Sequence, residues 1–371
     1  MAVLGVADLK DLALPSLWDT SEILKFRLES GRTFGELQQE IAQGLQMFNV
    51  NELITMSNYG GVFAVQDVPE VEYPTYTNRG VHELVEYKFS DTAHGATTGH
   101  LIGTRAWNIT LGWTMRYLQK ARSSKLDADI KMALADIRSH WQYRLLNRFF
   151  KSTSDTVGTG QSVPFADGGT ADTTYVPYIS PRGDSFTSSH NHFVNQSSTL
   201  STTSVDATVK NLWEHGHSAP YTAIIPEADI STWAALSNFK KPDWVDIAYH
   251  SSTTERARGL NDVAMDIFGY YESPYGLVQV WATPRLPTLY YGMFKAYGAG
   301  DARNPLRVRF DPHVGFGWNL VPGQLALSPL YVAAMMAEFD VGVGEDRTNG
   351  VAVYLNGGGG GSYTDPTITS T

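Results

Sequence analysis

The longest stretch of regular hydrophobic spacing lies in residues 113–151. Most steps between the apolar residues there are three or four positions, which places them on one side of an α-helix: Leu118, Leu126, Ile130, Leu134, Ile137, Trp141, Leu145 and Phe149. The spacing predicts a single helix of about 55–60 Å. Ser124 and Asp127 have the spacing of a capping box, so two shorter helices joined by a turn at residues 122–125 are the alternative.

The chain before this helix divides into three segments with different predicted structures: an arm, a helix and an extended loop. Residues 1–15 are apolar with few charges and predict an arm that lies on another surface. Residues 20–48 predict a helix, with Thr33 as N-cap and Glu36 three positions later. Residues 60–105 alternate in short runs broken by Pro and Gly, which predicts an extended two-stranded loop. Because so few apolar side chains cannot bury a core, we expect another chain to cover this loop.

A compact α/β lobe is predicted after the long helix. Residues 152–204, rich in Ser, Thr, Gly and Asp, give no readable pattern. A helix over residues 204–215 closes at Gly216, and a strand, Pro226 and a second helix follow over residues 221–236. Further strands are predicted at residues 264–268, 277–281, 289–294 and 307–310.

The end of the chain predicts a hairpin and a tail. Two apolar runs at residues 331–341 and 351–355 flank a tight polar segment over 342–350, the pattern of paired strands. Five glycines at residues 357–361 predict a flexible linker, followed by a short polar tail over 362–371.

Composition excludes several classes of protein. At 371 residues and 42% hydrophobic content the chain can bury a sizeable core in two or three lobes. It has no cysteine, which excludes disulfides, thiolate metal sites and a cysteine nucleophile. The net charge of −10 argues against a general nucleic-acid binder. Neither a membrane span nor a signal peptide is indicated.

Charge is unevenly distributed along the chain. Residues 116–151 hold nine Lys or Arg against three Asp, a charge of +6, which leaves −16 for the remainder. The predicted helix places its basic residues on faces other than the apolar one: Arg116, Lys120, Lys131, Arg138, Arg144 and Arg148. This basic helix could meet acidic surfaces of other subunits, or it could simply be solvated.

Candidate chemistry is sparse. Two His-x-His pairs, His190 with His192 and His215 with His217, could each present imidazoles to a metal, but no carboxylate motif accompanies them. Motifs of nucleotide-binding loops, nucleophile elbows and zinc proteases are missing. We therefore predict no enzyme, no catalytic residue, no metal and no cofactor. An aromatic-rich carbohydrate-active or metal-dependent enzyme stays an alternative, because aromatic residues at 12% suit subunit contacts and sugar platforms alike.

The order of these elements resembles the major capsid protein family of tailed bacteriophages. Arg347 ahead of Val351, Ala352 and Val353 is similar to an arginine carried by that family's peripheral strands. The resemblance implies an α+β, Hong Kong 97-type fold, which encapsulins share. Its parts would be an N-terminal arm and helix (1–59), an extended loop (60–108), a peripheral domain (109–203) with a spine helix (113–151), an axial α/β domain (204–330), returning peripheral strands (331–356) and a flexible Gly-rich tail (357–371).

The resemblance also implies a function. The chain would assemble with itself into pentamers and hexamers of an icosahedral virion shell around double-stranded DNA, which it would hold only by weak enclosure. Expected partners are scaffolding, portal and cement proteins, with assembly in the host cytoplasm. An encapsulin-type nanocompartment is the alternative within the same fold. Candidate inter-subunit contacts are Arg116, Lys120, Arg138, Glu72, Glu83, Glu86 and Arg347.

A covalent cross-link known in some relatives is not carried over to this chain. Lys88 and Asn349 or Asn356 match it by position alone.

Overall fold

The computed structural model describes residues 31, 33–50, 63–66, 70–75, 96–114, 123–157, 160–166, 191–196, 199–241, 266–298, 301, 303–322, 330–344, 346–356 and 362–369. Its helices are α1 (Phe34–Phe48), α2 (Ser123–Phe150), α3 (Thr202–Glu214) and α4 (Ile230–Ala234). Its strands are β1 (Phe63–Gln66), β2 (Glu70–Thr75), β3 (Ala96–Leu101), β4 (Arg105–Thr114), β5 (Asp155–Val157), β6 (Gly160–Ser162), β7 (Phe193–Gln196), β8 (Tyr221–Pro226), β9 (Phe239–Lys240), β10 (Asp266–Ser273), β11 (Gly276–Thr283), β12 (Tyr290–Phe294), β13 (Leu306–Phe310), β14 (Asn319–Pro322), β15 (Leu330–Val343) and β16 (Val351–Leu355).

The chain divides into two compact units. The first draws on Met1–Leu53, Ala106–Ser139 and Asp311–Glu338, and the second on Ile54–Arg105, His140–Phe310 and Phe339–Thr371. Helix α2 and strand β15 each contribute residues to both units. No helix in the described ranges combines the length and the apolar content that crossing a membrane requires.

In the first unit, α1 begins with the predicted capping box. The Thr33 hydroxyl accepts from the Glu36 N–H at 3.3 Å, and the Glu36 carboxylate accepts from the Thr33 N–H at 2.9 Å. The helix buries Ile41, Leu45 and Phe48. Just beyond it, the Asn49 amide exchanges two hydrogen bonds with the main chain of Trp318, at 3.0 and 2.9 Å, which fastens the end of α1 to the segment before β14.

The described helix α2 begins at Ser123, ten residues after the predicted start at Trp113, and residues 115–122 lie outside the described residues. Trp113 is not helical: it lies in β4, which pairs with β15, and its indole N–H donates to Asp129 at 3.3 Å. The described helix therefore spans 28 residues, about 42 Å at 1.5 Å per residue.

The second unit is built around a seven-stranded mixed sheet. Its strand order is β7-β16-β12-β8-β11-β10-β9, and α3 packs against it. The helix begins at the capping residue Ser201 and is followed by Gly216 at φ +88°, so its predicted position is confirmed. The core between helix and sheet is apolar and includes Val205, Val209, Leu212, Tyr221, Val278, Val280, Tyr291, Val351 and Val353.

The predicted hairpin between the last two long strands is wrong. Strand β15 pairs with β13 and β14, whereas β16 pairs antiparallel with β12 and parallel with β7 in the seven-stranded sheet. The connecting residues carry the chain from one sheet to the other. Arg347 is held there by carbonyl oxygens of residues 164 and 165, and Asn349 by the main chain of residues 295 and 303, so the connection is anchored rather than a free turn.

The region predicted as an extended loop contains a two-stranded ladder. Strands β2 and β3 pair antiparallel from Glu70 opposite Leu101 to Thr75 opposite Ala96. Strand β1 pairs instead with β13 of the same chain, in parallel. The alternating run at residues 81–89 lies outside the described residues.

Candidate functional site

The residues predicted to contact other subunits are only partly described. Arg138 is exposed on α2, as are Lys125 and Lys131 on the same helix. Glu72 lies in β2, opposite Gly99 of β3. Four of the predicted contacts fall outside the described residues: Arg116, Lys120, Glu83 and Glu86. Of the residues predicted to pair by charge, the structure thus describes one exposed cation, Arg138 on α2, and one acidic residue, Glu72 in β2.

Arg347 lies inside the second unit. Its side chain is 4% exposed, and its guanidinium donates to the carbonyl oxygens of Pro164 at 2.9 Å and Phe165 at 3.3 Å. The Arg347 carbonyl in turn accepts from the Ala166 N–H at 2.9 Å. Within its own subunit this arginine joins the segment between β15 and β16 to the segment after β6.

The histidine pairs are arranged differently from the expectation. His190 lies outside the described residues, and His192 meets His215 with 3.1 Å between their Nε2 atoms. Since His192 Nδ1 is 2.9 Å from the Gly350 carbonyl and must donate to it, His192 Nε2 accepts from His215. The two rings are therefore hydrogen-bonded to each other. Across the described part of the chain, no group of three or more His, Asp or Glu side chains could hold a metal.

His217 lies in a separate buried group that resembles a catalytic constellation. Its Nδ1 is 2.8 Å from the Tyr297 hydroxyl, and its Nε2 is 3.2 Å from Thr348 Oγ1 and 3.5 Å from Asp346. Burial lowers the pKa of His217, opposed by the Asp346 carboxylate. His217 and Thr348 are both buried, however, so a substrate carbonyl could not approach the hydroxyl. The group therefore holds the chain after β15 in place.

A buried ion cluster is the main electrostatic feature of the second unit, and it was missed from the sequence. Asp340 of β15 is fully buried and forms ion pairs with Arg144 of α2 and, at 3.4 Å, with Arg105 of β4. The Val341 N–H donates to the same carboxylate at 2.8 Å. We call these three charged residues the Asp340 cluster. Its only sequence signal is an aspartate inside the apolar strand β15.

The side chain of Arg148 binds carbonyl groups beyond the end of the long helix α2. Its guanidinium donates to the carbonyl oxygens of Lys151, Ser162 at 3.0 Å and Thr153 at 3.1 Å, groups that follow the last helical turn. Burial lowers its pKa to about 10, against the charges of Asp155, Asp340 and Asp365, so it stays protonated at neutral pH. The helical periodicity assigned Arg144 and Arg148 to outward faces, but this half of α2 is enclosed on most sides.

Two half-buried histidines beside these charges make stability depend on pH. Burial, reinforced by Arg347, lowers the pKa of His100 to about 4, and burial with Arg144 lowers that of His140 to about 4. In the unfolded chain both titrate near 6.5. Between about pH 6.5 and 4 the unfolded state therefore binds more protons, so stability falls as the pH falls through that window.

We expect the thermal midpoint to drop as the pH is lowered from 7 to 4.5, and to drop less in His140→Gln. His313→Gln, which changes an exposed histidine, is the matched control and should follow the wild type. Calorimetry across this range is the measurement. Equal midpoints at pH 7 and 4.5 in the wild type would show that the buried histidines do not titrate as described.

Comparison with solved structures identifies the fold. A structure from Mycobacterium phage Patience is similar over 93% of this chain and 94% of its own, with a TM-score of 0.63 and 15% identity. Lower scores are found for the mature capsid of bacteriophage PhiM1 (80% and 86% covered, 8% identity, TM-score 0.47) and the holo-SrpI encapsulin complex from Synechococcus elongatus (98% and 100%, 10%, 0.41). No protein-family model and no curated protein sequence matches the chain.

The likeness to the Patience structure extends over nearly the whole of both chains, so it is not limited to one shared motif. At 15% identity it establishes the fold alone. The α+β prediction is confirmed, and the chain has the phage major-capsid fold, of the Hong Kong 97 type shared with encapsulins.

Proposed function

We propose that this chain is a major capsid protein, which assembles with itself into pentamers and hexamers of an icosahedral shell around double-stranded DNA. The observation that carries the proposal is the similarity to the Patience phage structure over 93% of the chain. The buried polar groups of the second unit agree with a structural role. The Asp340 cluster, Arg148 and the His217 group all bind the chain to itself.

The charge distribution suits a container for DNA. The chain carries −10, and an acidic wall repels phosphate, so packaged DNA would be enclosed rather than tightly bound. Among the described residues of the second unit, four arginines are buried and so withdrawn from the surface: Arg144, Arg148, Arg307 and Arg347. The proposed partners are scaffolding, portal and cement proteins. Assembly would take place in the host cytoplasm, and the assembled protein would be part of the virion.

Contacts between neighbouring subunits would use the exposed half of α2. In the proposed contact, the loop of one subunit lies across the long helix of the next, and acidic residues Glu72, Glu83 or Glu86 face Arg116, Lys120 or Arg138. Opposite charges on such surfaces set register and speed encounter more than they add affinity. Arg138 is the member of the basic set whose exposure the structure describes.

Arg138→Glu should therefore impair assembly without unfolding the subunit. An exposed helix position tolerates the change within about 0.5 kcal/mol of stability, whereas a like-charge contact repeated around a shell is unfavourable at every copy. We expect at least a tenfold lower yield of particles by sedimentation, with an unchanged thermal midpoint. Lys210→Glu, which makes the same charge change at an exposed position of α3, is the control and should assemble normally.

Charge reversal on the loop tests the pairing itself. Glu72→Lys combined with Arg138→Glu should recover part of the lost yield if these two residues face one another, and Glu83→Lys or Glu86→Lys should do so if they are the partners instead. Normal assembly of the single variant Arg138→Glu would remove this contact from the proposal and leave the fold assignment intact.

A further inference from the structure

The sequence contains two Asn-Gly pairs, Asn349–Gly350 and Asn356–Gly357, and their asparagines lie in different environments. Asn349 is 0% exposed in the segment that joins β15 to β16, whereas Asn356 is exposed directly after β16. An asparagine before glycine loses its side-chain amide more easily than before any other residue, because glycine places no side chain beside the main-chain nitrogen that attacks the amide. The two pairs therefore share one chemistry in two environments.

Both ends of the Asn349 side-chain amide are hydrogen-bonded to the main chain. Its Oδ1 accepts from the Lys295 N–H at 2.8 Å, and its Nδ2 donates to the carbonyl oxygens of Lys295 at 2.8 Å and Arg303 at 2.6 Å. Of the side chains this short, only asparagine offers an acceptor and two donor hydrogens. An ionised aspartate would keep the acceptor but could not donate to the two carbonyl oxygens.

Gly350 is required by the packing beside it. A Cβ at this position would lie 2.3 Å from Cζ of Phe165. The Phe165 ring is 0% exposed and packs edge-on against Phe149, with 5.1 Å between centroids, so it cannot move aside without disturbing the core. The fold thus requires asparagine followed by glycine at a buried position, although this pair is the one most prone to lose its amide.

Loss of the amide is a hydrolysis that needs only water. The main-chain nitrogen of Gly350 gives up its proton and attacks Cγ of Asn349, which closes a succinimide ring. The bond from Cγ to Nδ2 breaks, and Nδ2 leaves as ammonia with the added proton. Water then attacks one of the ring carbonyl carbons and opens the ring to aspartate or isoaspartate. The net reaction converts an amide and water into a carboxylate and an ammonium ion.

The folded subunit opposes this reaction in two ways. The three hydrogen bonds must break before Cγ of Asn349 can become tetrahedral and release Nδ2. Water and ammonia must also exchange with a side chain that is 0% exposed. The reaction therefore requires local opening of the segment that joins β15 to β16, and its rate follows the fraction of time for which that segment is open.

We propose that Asn349 is a deamidation site that is closed in the folded subunit and reacts when the segment between β15 and β16 opens, and that the product prevents this segment from closing again. A carboxylate at position 349 is buried against the carbonyl oxygens of Lys295 and Arg303, where partial charges of the same sign repel it. Isoaspartate also adds a methylene group to the main chain. Unfolding then becomes permanent in the modified copy. The inference concerns a single subunit and does not rest on the proposed function.

Asn356 provides a control within the same chain. Its main-chain N–H donates to the Gln196 carbonyl at 3.3 Å, while its side chain is exposed. Residues 362–369, beyond the glycines, are held against the second unit, where the Tyr363 hydroxyl donates to the Phe150 carbonyl at 2.8 Å, whereas the sequence predicts a flexible tail there. A new charge at Asn356 lies outside these contacts, so we expect it to leave stability unchanged.

Mass spectrometry of digested protein tests the protection of Asn349. Folded and urea-unfolded samples are kept at mildly alkaline pH, which favours loss of the Gly350 proton. We expect the reaction at Asn349 to be about a hundredfold or more slower in the folded sample, because opening breaks three buried hydrogen bonds. At exposed Asn356 the two samples should differ by less than about tenfold. Equal rates at Asn349 in both samples would overturn the proposal.

Refolding of the native sequence tests the effect of the product. Protein that has been partly modified while unfolded is returned to native conditions, and the refolded monodisperse fraction is isolated by gel filtration. This fraction should be depleted of modification at Asn349 and should carry modification at Asn356 at the level of the starting mixture. Refolded protein with as much modification at Asn349 as the starting mixture would contradict a block on closure.

Direct substitution provides a second measurement of the same effect. Asn349→Asp reproduces one product, and Asn356→Asp makes the same change at the exposed pair. We expect Asn349→Asp to unfold at a lower urea concentration than the wild type, and Asn356→Asp to unfold with the wild type. A wild-type transition in Asn349→Asp would count against the proposal. If this variant does not fold, the refolding experiment on the native sequence still decides between the two outcomes.

Discussion

Asp340→Asn is expected to destabilise the subunit by about 3–5 kcal/mol, because it leaves the buried guanidinium of Arg144 without its counter-charge. Asp340 is 0% exposed, so water cannot replace the lost partner. Arg105 and the Val341 N–H lose a charged acceptor at the same time. Chemical denaturation monitored by tryptophan fluorescence measures the loss, and a thermal midpoint confirms its direction.

A double variant separates the contribution of the Asp340–Arg144 ion pair from that of side-chain packing. Asp340→Leu with Arg144→Met removes both charges and should be more stable than either single change, because no unpaired ion is left buried. Asp136→Asn, an exposed aspartate on the same helix, should change stability by less than about 0.5 kcal/mol. A mild effect of Asp340→Asn, similar to that of Asp136→Asn, would show that the Asp340 cluster does not hold the second unit together.

Gly160→Ala is expected to destabilise the subunit by a similar amount, because two stretches of backbone touch at this residue. A Cβ at position 160 would lie 2.2 Å from the Gly103 nitrogen and 2.7 Å from the Leu101 carbonyl oxygen. Both neighbours are main-chain atoms, which cannot rotate away. We expect a loss of about 3 kcal/mol or more, since overpacking of a tight site costs about 1–3 kcal/mol even where side chains can adjust.

Gly44→Ala is the matched control, and it should have the opposite sign. A Cβ there would meet only the Leu134 side chain at 3.5 Å, an ordinary contact, and alanine favours the interior of α1 by about 0.5–1 kcal/mol. Denaturation of both variants under the same conditions provides the comparison. A Gly160→Ala protein as stable as the wild type would mean that β6 does not lie against residues 101–103 as described.

Local signals in the sequence predicted local structure well. The Thr33 and Glu36 capping box, the closure of α3 at Gly216 and the bounds of β16 all depend on residues within a few positions of one another, and the structure confirms them. The overall order of elements was sufficient to predict the fold class, which the comparison with the Patience structure supports.

Features that depend on distant parts of the chain could not be predicted in this way. Helical spacing shows which residues share a face, not which faces are covered, so the burial of Arg144 and Arg148 was missed. A strand's alternation does not name its partner, and the last two strands were paired with each other although they lie in different sheets. The contact between His192 and His215 joins residues 23 positions apart.

The central claim is that the chain forms a closed shell by self-association, and imaging of the purified protein tests it most directly. Electron micrographs of the full-length protein, recorded over a range of protein and salt concentrations, should show closed particles of uniform diameter with subunits in rings of five and six. A protein that remains folded and monomeric under all these conditions, including molecular crowding, would contradict it.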